Sequence, residues 1–284
     1  MEIKDCIDQL LKGKSLSQKQ MVDAAESIMN GSVTNAQTAS FLVALRMKGE
    51  TSDEISGLAM VMREKSLSPQ ISDSINLLDT CGTGGDGSET FNVSTASAIV
   101  AASADIRVAK HGGRAISSKC GSGDLLESMG VKIDLGPEGV AECINKIGIG
   151  FMYAFIFHPA MRVTNDTRRE IGIRTIFNIV GPLTNPANAG HQLVGVPNAD
   201  LVPVITDALQ YLGTKKAIVV HGEGPMDEIS LCGPSIMGIY TDGTPTQITE
   251  VDPRDYGLKI VKIEQIQSGT VESSKRILIE TLKG

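Results

Sequence analysis

The sequence predicts an α/β protein in which a small all-helical unit precedes a larger unit built on a mainly parallel central sheet. Two patterns carry this. Up to about residue 68, apolar side chains recur at helical spacing between capping signals, whereas after Ser68-Pro69 short apolar runs alternate with glycine loops and helical stretches. Composition adds a third observation. With 30 glycines, no Trp and 4% aromatics in 284 residues, the chain has many places where the backbone must turn sharply or be closely approached.

In order along the chain, Ser17 precedes a helix whose apolar face holds Met21, Ala24, Ala25 and Ile28, and Gly31 ends it. Thr34 with Gln37, and Thr51 with Glu54, have the spacing at which two side chains satisfy orphan amides reciprocally. Phe41, Leu42 and Leu45 follow the first pair, and Ile55, Leu58 and Met62 the second. Beyond Pro69, strands are predicted at Ile75–Leu78, Arg107–Ala109, Met152–Ile156, Gln192–Val196 and Ala217–Val220, with helices after Ser94, Asp124, Pro137 and Asp200. Residues 162–180 read as an Arg-rich helical interruption, closed by the turn-rich Gly181–Pro186. Segment 162–186 is therefore expected to join the helical unit of residues 1–68, leaving 69–161 and 187–284 as the α/β unit. Glu272–Leu282 reads as a last helix.

Charge and cysteine usage exclude whole classes of function. Lys+Arg 26 against Asp+Glu 33 gives a net charge of −7, the wrong sign for a generic nucleic-acid binder. No apolar run approaches the ~20 residues of a membrane span, and the first ten residues lack a secretory apolar stretch. Cys6, Cys81, Cys120, Cys143 and Cys232 are odd in number and form no CxxC pair, so reduced thiols in the cytoplasm are expected.

The strongest chemical signal is Asp79-Thr80-Cys81-Gly82-Thr83-Gly84-Gly85-Asp86-Gly87, which follows a predicted strand and leads through Asn92-Val93-Ser94-Thr95 into the alanine-rich stretch Ala96–Ala104. Glycines between strand and helix free several amides to point at one anion, and the helix start adds a favourable dipole. GxxxxGK[ST] does not fit the loop. A second loop, Lys110-His111-Gly112-Gly113-Arg114, follows the next strand and should face the first, because ligands collect outside the carboxyl ends of parallel strands. Lys110 offers a point charge for phosphate, and Arg114 a partner for an anion or a protein carboxylate. Ser117, Ser118 and Gly121-Ser122-Gly123-Asp124 continue a small, polar lining.

These motifs in this order resemble the anthranilate phosphoribosyltransferase family. The match runs through FLVALRMKGET (Phe41–Thr51), GTGGD (Gly82–Asp86), NVSTAS (Asn92–Ser97), Lys110–Glu127, HPAM (His158–Met161), GIRTIFNIVGPLTNP (Gly172–Pro186) and DEIS (Asp227–Ser230). The resemblance implies a helical domain beside an α/β domain, an active site in the cleft, a homodimer through the helical domain, and transfer of phosphoribose from phosphoribosyl pyrophosphate to anthranilate. It also implies site roles. Gly82, Thr83, Gly84, Gly85, Asp86, Thr90, Asn92, Ser94, Thr95, Lys110 and Ser122 would bind phosphoribosyl pyrophosphate. Ser94, Asp227 and Glu228 would hold Mg²⁺, and Gly82, His111, Gly113, His158 and Arg168 would bind anthranilate. No catalytic base is assigned, since the amine of anthranilate is neutral at pH 7.

Three departures from the family pattern concern the acceptor half: Gly113 stands where Asn is usual, Met161–Thr167 lacks a usual His and Pro-Val pair, and Gly123 replaces Ala. They predict altered acceptor recognition beside an intact donor half. The chain also ends at Gly284, where the family continues with a further helical segment, and lower stability than an extended relative is expected. Alternatives are a paralogue acting on another aromatic amine and a non-catalytic nucleic-acid-binding relative. The related pyrimidine nucleoside phosphorylases fit less well, because GTGGD and Asp227-Glu228 favour a diphosphate and metal over free phosphate.

Overall fold

The computed structural model describes residues 2–115 and 119–284. Four helices open the chain: α1 (Ile3–Leu11), α2 (Gln18–Met29), α3 (Asn35–Lys48) and α4 (Ser52–Glu64). Both predicted capping boxes form, with Gln37 and Glu54 returning to the Thr34 and Thr51 amides at 3.0 and 2.8 Å. A third closes α2 at Ser17 and Gln20. Glu54 does more than cap. Fully buried, it also accepts from the Leu16 amide and from Lys48, each at 2.8 Å, which satisfies a charge that would otherwise be expensive to bury. Gly57 lets α4 lie against α2, since a Cβ there would sit 2.8 Å from the Gln18 carbonyl oxygen.

The α/β part runs β1 (Leu78–Gly82), α5 (Val93–Ser103), β2 (Val108–Gly112), α6 (Ser122–Ser128), α7 (Pro137–Ile147), β3 (Ile149–Tyr153), α8 (Ala154–Phe157), α9 (Asn165–Ile171), β4 (His191–Gly195), α10 (Leu201–Tyr211), β5 (Lys216–His221), β6 (Ser235–Thr241), β7 (Gln247–Val251) and α11 (Val271–Lys283). The sheet order is β3-β2-β1-β4-β5-β6-β7. Its first five strands are parallel, while β6 and β7 are antiparallel. From β1 the chain builds outward to β2 and β3 on one side, and later to β4 and β5 on the other. The carboxyl ends of β1 and β4 therefore form a topological switch point, where departing loops open a crevice.

The sequence reading needs four corrections. The strand expected at Ile75–Leu78 begins at Leu78, because Asp73 takes a left-handed φ of 63° and Ser74–Asn76 forms a 3₁₀ turn. The strand expected at Met152–Ile156 is Ile149–Tyr153: Gly148, at φ 80°, ends α7 and turns straight into it. Residues 162–180 are helical only to Ile171, where Gly172 at φ 63° stops α9, and 3₁₀ turns follow at Ile176–Asn178 and Gly181–Thr184. The antiparallel pair β6 and β7 was not foreseen, and the first four residues of β7 are exposed and show no alternation.

One core joins the helices to a sheet face: Phe41, Leu45, Ile55 and Leu58 pack with Ile176, Phe177 and Leu183, and on to Val194 and Ile205. A second gathers Leu77, Ala109, Val140, Ile144, Met152 and Phe157. In a third, Leu278 of α11 packs on Ala96 and Leu125, so the last helix braces the helices that follow the two glycine loops. No helix among the described residues is long and apolar enough to cross a membrane.

Candidate active site at the sheet switch point

Gly82 and Gly195 are register partners at the ends of β1 and β4, directly at the switch point. Beyond them Gly84 and Gly85 take φ of 66° and 68°, a region strained for residues with a Cβ. The backbone so leaves the sheet ladder with amides turned outward. Thr83 N–H still reaches the Gly195 carbonyl at 3.0 Å, but Gly84 N–H donates to Asp227 Oδ2 at 3.0 Å. A Cβ at Gly82 would overlap the Asp227 carboxylate, and one at Gly195 its backbone. Glycine at both strand ends is what lets the acidic loop after β5 close on this crevice.

That loop brings Asp227 and Glu228 to the glycine loop, and Asp227 N–H donates to Asp86 Oδ2 at 3.3 Å. Burial, followed by the charge of Asp227, pushes Glu228 up to about 8, with Lys110 pulling the other way. Asp227 is also raised, by burial first and then by Asp86. Crowded carboxyls whose charge is this poorly compensated offer hard oxygen donors of the kind a divalent cation takes beside substrate phosphate, although no group of three or more acidic, His or Cys side chains among the described residues is already gathered around one point. Lys110 is buried under the loop, its Nζ donating to the Thr80 carbonyl at 2.5 Å and facing Ser94 Oγ at 3.4 Å. Burial lowers its pKa, and Asp79 opposes that shift.

The starts of α5 and α6 meet beside the loop. Thr95 Oγ1 donates to Ser122 Oγ at 3.2 Å, and Asn92 Nδ2 donates to the Cys120 carbonyl at 3.0 Å. Thr90 Oγ1 lies 3.4 Å from Ser88 Oγ, and its backbone bridges Gln267. Arg114 takes the protein-carboxylate option, pairing with Asp124 and Glu127 at 3.2 and 2.8 Å. Ser117 and Ser118 lie outside the described residues.

Of the residues expected to bind the acceptor, His111 and His158 form a buried pair with Nε2 atoms 3.1 Å apart, so one ring donates to the other. Burial pushes both pKa values down, His158 to about 4, and the pair is uncharged at neutral pH. Arg168 has a different neighbour, its guanidinium lying 5.2 Å from the Phe177 ring centroid. Gly113 has open space where a side chain would stand. Its carbonyl accepts from Gly123 N–H at 2.9 Å, and a Cβ on Gly123 would approach that oxygen to 3.3 Å. The two glycine departures from the family pattern are thus in contact.

Three contributors were missed as individuals, although each lies in a quoted motif. Asp79, fully buried, accepts from His111 N–H at 3.1 Å and from Asn185 Nδ2 at 2.7 Å, so it fixes the second loop to the first strand. Asn185 also donates to the Ala109 carbonyl at 2.8 Å. Arg174 reaches the carbonyls of Gly84 and Gly85. A buried Asp after an apolar run was the available signal for the first two, while nothing local marked Arg174.

Comparison with known proteins agrees with this geometry. The helical bundle domain of the glycosyl transferase family matches residues 4–66, and that family's a/b domain matches residues 74–284. Anthranilate phosphoribosyltransferase of Herpetosiphon aurantiacus is 49% identical over all of this chain and 83% of its own length; that of Persephonella marina is 46% identical over 99% and 83%. The crystal structure of the Thermus thermophilus enzyme superposes with a TM-score of 0.90 at 39% identity, covering 98% of this chain and 82% of that one. The Saccharomyces cerevisiae enzyme in complex with PRPP and Mg gives 0.86 at 28% identity, covering 98% and 80%. With near full-length identity approaching one half and both domains matched, the chain belongs to the anthranilate phosphoribosyltransferase family of glycosyl transferases.

Proposed function

We propose that the chain transfers the phosphoribosyl group of phosphoribosyl pyrophosphate to the amine of anthranilate, giving N-(5-phosphoribosyl)anthranilate and pyrophosphate in tryptophan biosynthesis. The observation that carries this reading is the glycine loop at the switch point, whose Gly84 N–H meets Asp227, the neighbour of Glu228. The amine nitrogen attacks ribose C1 as the bond from C1 to the diphosphate oxygen breaks, and negative charge grows on the leaving group. The Gly85 and Asp86 amides, unpaired among the described residues, and the start of α5 are preset by the fold to stabilise that charge. Ser94, Asp227 and Glu228 would hold Mg²⁺, whose chemistry is to neutralise the departing diphosphate.

Arg168 supplies a cation for the anthranilate carboxylate, with Phe177 holding the guanidinium plane. The uncharged His111 and His158 pair, with Gly82 and Gly113, provides the acceptor wall. The same two ligands are supported by the yeast enzyme, which has been solved with PRPP and Mg and with 4-fluoroanthranilate. We assign residues 1–68 with 162–186 to a helical domain and the rest to the donor domain, on the shared core of Phe41, Leu58, Phe177 and Leu183. Exposed Leu11 and Met47, on the helical part, support a homodimer through that face, and the free cysteines fit a cytoplasmic setting. Anthranilate fluorescence should decay in the presence of phosphoribosyl pyrophosphate and Mg²⁺. Donor binding by calorimetry without anthranilate turnover would overturn the acceptor assignment.

A further inference from the structure

Arg174 lies three residues past α9 and meets the donor loop on the side opposite its amides. Its Nη2 donates to the Gly84 carbonyl at 3.0 Å and its Nη1 to the Gly85 carbonyl at 3.2 Å. In a trans peptide the C=O and the following N–H point in opposite directions. Holding these two oxygens therefore turns the N–H groups of Gly85 and Asp86 away from the guanidinium. Among the described residues neither amide has a hydrogen-bond partner. Loop and arginine are matched sterically as well, since any Cβ on Gly85 would overlap Nη1. Nor is Arg174 held by an acid: it forms no ion pair among the described residues.

We propose that Arg174 is the positioning residue of the donor loop: its guanidinium holds the Gly84 and Gly85 carbonyls so that the Gly85 and Asp86 amides face the diphosphate of the donor. The assignment rests on reading the loop as a diphosphate cradle. It also ties the cradle to α9, which packs on α3 and carries Arg168 of the acceptor side. A bidentate fork suits this task, because a single rotatable donor fixes one carbonyl but not the relative tilt of two peptide planes.

The test compares wild type, Arg174→Ala, Arg174→Lys and Gly85→Ala. Calorimetry with Mg²⁺ and phosphoribosyl pyrophosphate, and with Mg²⁺ and pyrophosphate, reads the cradle; the KM for anthranilate and the melting temperature read everything else. Arg174→Ala should weaken both diphosphate ligands roughly tenfold or more, given two lost charge-assisted hydrogen bonds, while anthranilate KM and melting temperature stay near wild type. Arg174→Lys should recover part of the loss. Gly85→Ala, which displaces the guanidinium, should weaken donor binding too, and its effect combined with Arg174→Ala should be less than the product of the two. Wild-type diphosphate affinity in Arg174→Ala would overturn the proposal, as would equal losses for donor and anthranilate with a lowered melting temperature. Failure of wild type to bind either diphosphate would instead remove the cradle reading, so the two failures are distinct.

Discussion

Glu228→Gln should remove activity and yet stabilise the ligand-free protein, by an amount that grows with pH. Glu228 is held behind the donor loop, bordering a cavity of about 70 Å³ with Thr80 and Ser94, and its pKa stands at about 8 against an ordinary 4.5. A carboxyl raised on folding takes up a proton, so folding stability falls as pH rises from the unfolded value through the folded one. At 1.36 kcal/mol per unit, the loss is about 1 kcal/mol at pH 5, about 3 at pH 7 and about 4–5 at pH 8.5. These figures are ceilings, since any water admitted to the cavity would screen the ion. Glutamine keeps an acceptor oxygen for the Ser94 amide and carries no charge to bury. Urea unfolding of both proteins at pH 5, 7 and 8.5, without Mg²⁺, should show the variant gaining steadily over wild type. With Mg²⁺ and phosphoribosyl pyrophosphate at 100 times Kd, wild type alone should gain about 2.7 kcal/mol, narrowing or reversing the order. A stability difference that is the same at all three pH values would refute the reasoning, because it would mean that Glu228 folds as an ion without penalty.

Arg168→Ala should raise the KM for anthranilate by roughly 10–100-fold and leave calorimetric donor affinity unchanged, in line with a charge-assisted contact to one substrate only. His158, at about 4, folds as the neutral imidazole, so wild-type stability is lost as pH falls from the ordinary 6.5 toward 4. His158→Gln escapes that loss: relative to wild type it should stand up to ~2 kcal/mol better at pH 5 than at pH 7.5, whatever its fixed packing penalty, and equal differences at both pH values would contradict a neutral buried ring. Gly57→Ala should lower stability by about 1–3 kcal/mol, because its methyl would meet the Gln18 carbonyl oxygen and the Met21 Cβ at 2.8 and 2.9 Å. A melting temperature equal to wild type would show that α2 and α4 part freely there.

What could be read from the sequence is what local chemistry dictates. Thr34 with Gln37, and Thr51 with Glu54, close on residues three apart, so spacing alone locates the starts of α3 and α4. The donor loop is legible for the same reason, since consecutive left-handed residues between strand and helix call for glycine wherever they occur. Left-handed residues at Asp73, Gly148 and Gly172 set three of the missed boundaries locally, and the other misses depend on distant partners. The segment Asp79-Thr80-Cys81 looks too polar for an inner strand, and it is buried only because Asn185, 106 residues away, and His111 meet Asp79. β7 has no alternation to detect, since one neighbour, β6, is enough to make it a strand. Arg174 acts on a loop 89 residues earlier, and a lone arginine carries no sign of where its fork will land.

The charge reading is sharpened in the same way. A net charge of −7 describes the far field, which weakens over a Debye length of about 8–10 Å, whereas the loop acts at hydrogen-bond distance through amides that carry no net charge. Asp227, Glu228 and Asp86 make the site itself acidic, and Asp227 takes up the Gly84 amide. On the proposed reading, a divalent cation arriving with the anion would take the place of the protons that burial and crowding keep on Asp227 and Glu228. On that reading the acids would make donor binding depend on the metal, a selectivity that a cluster of lysines would not give.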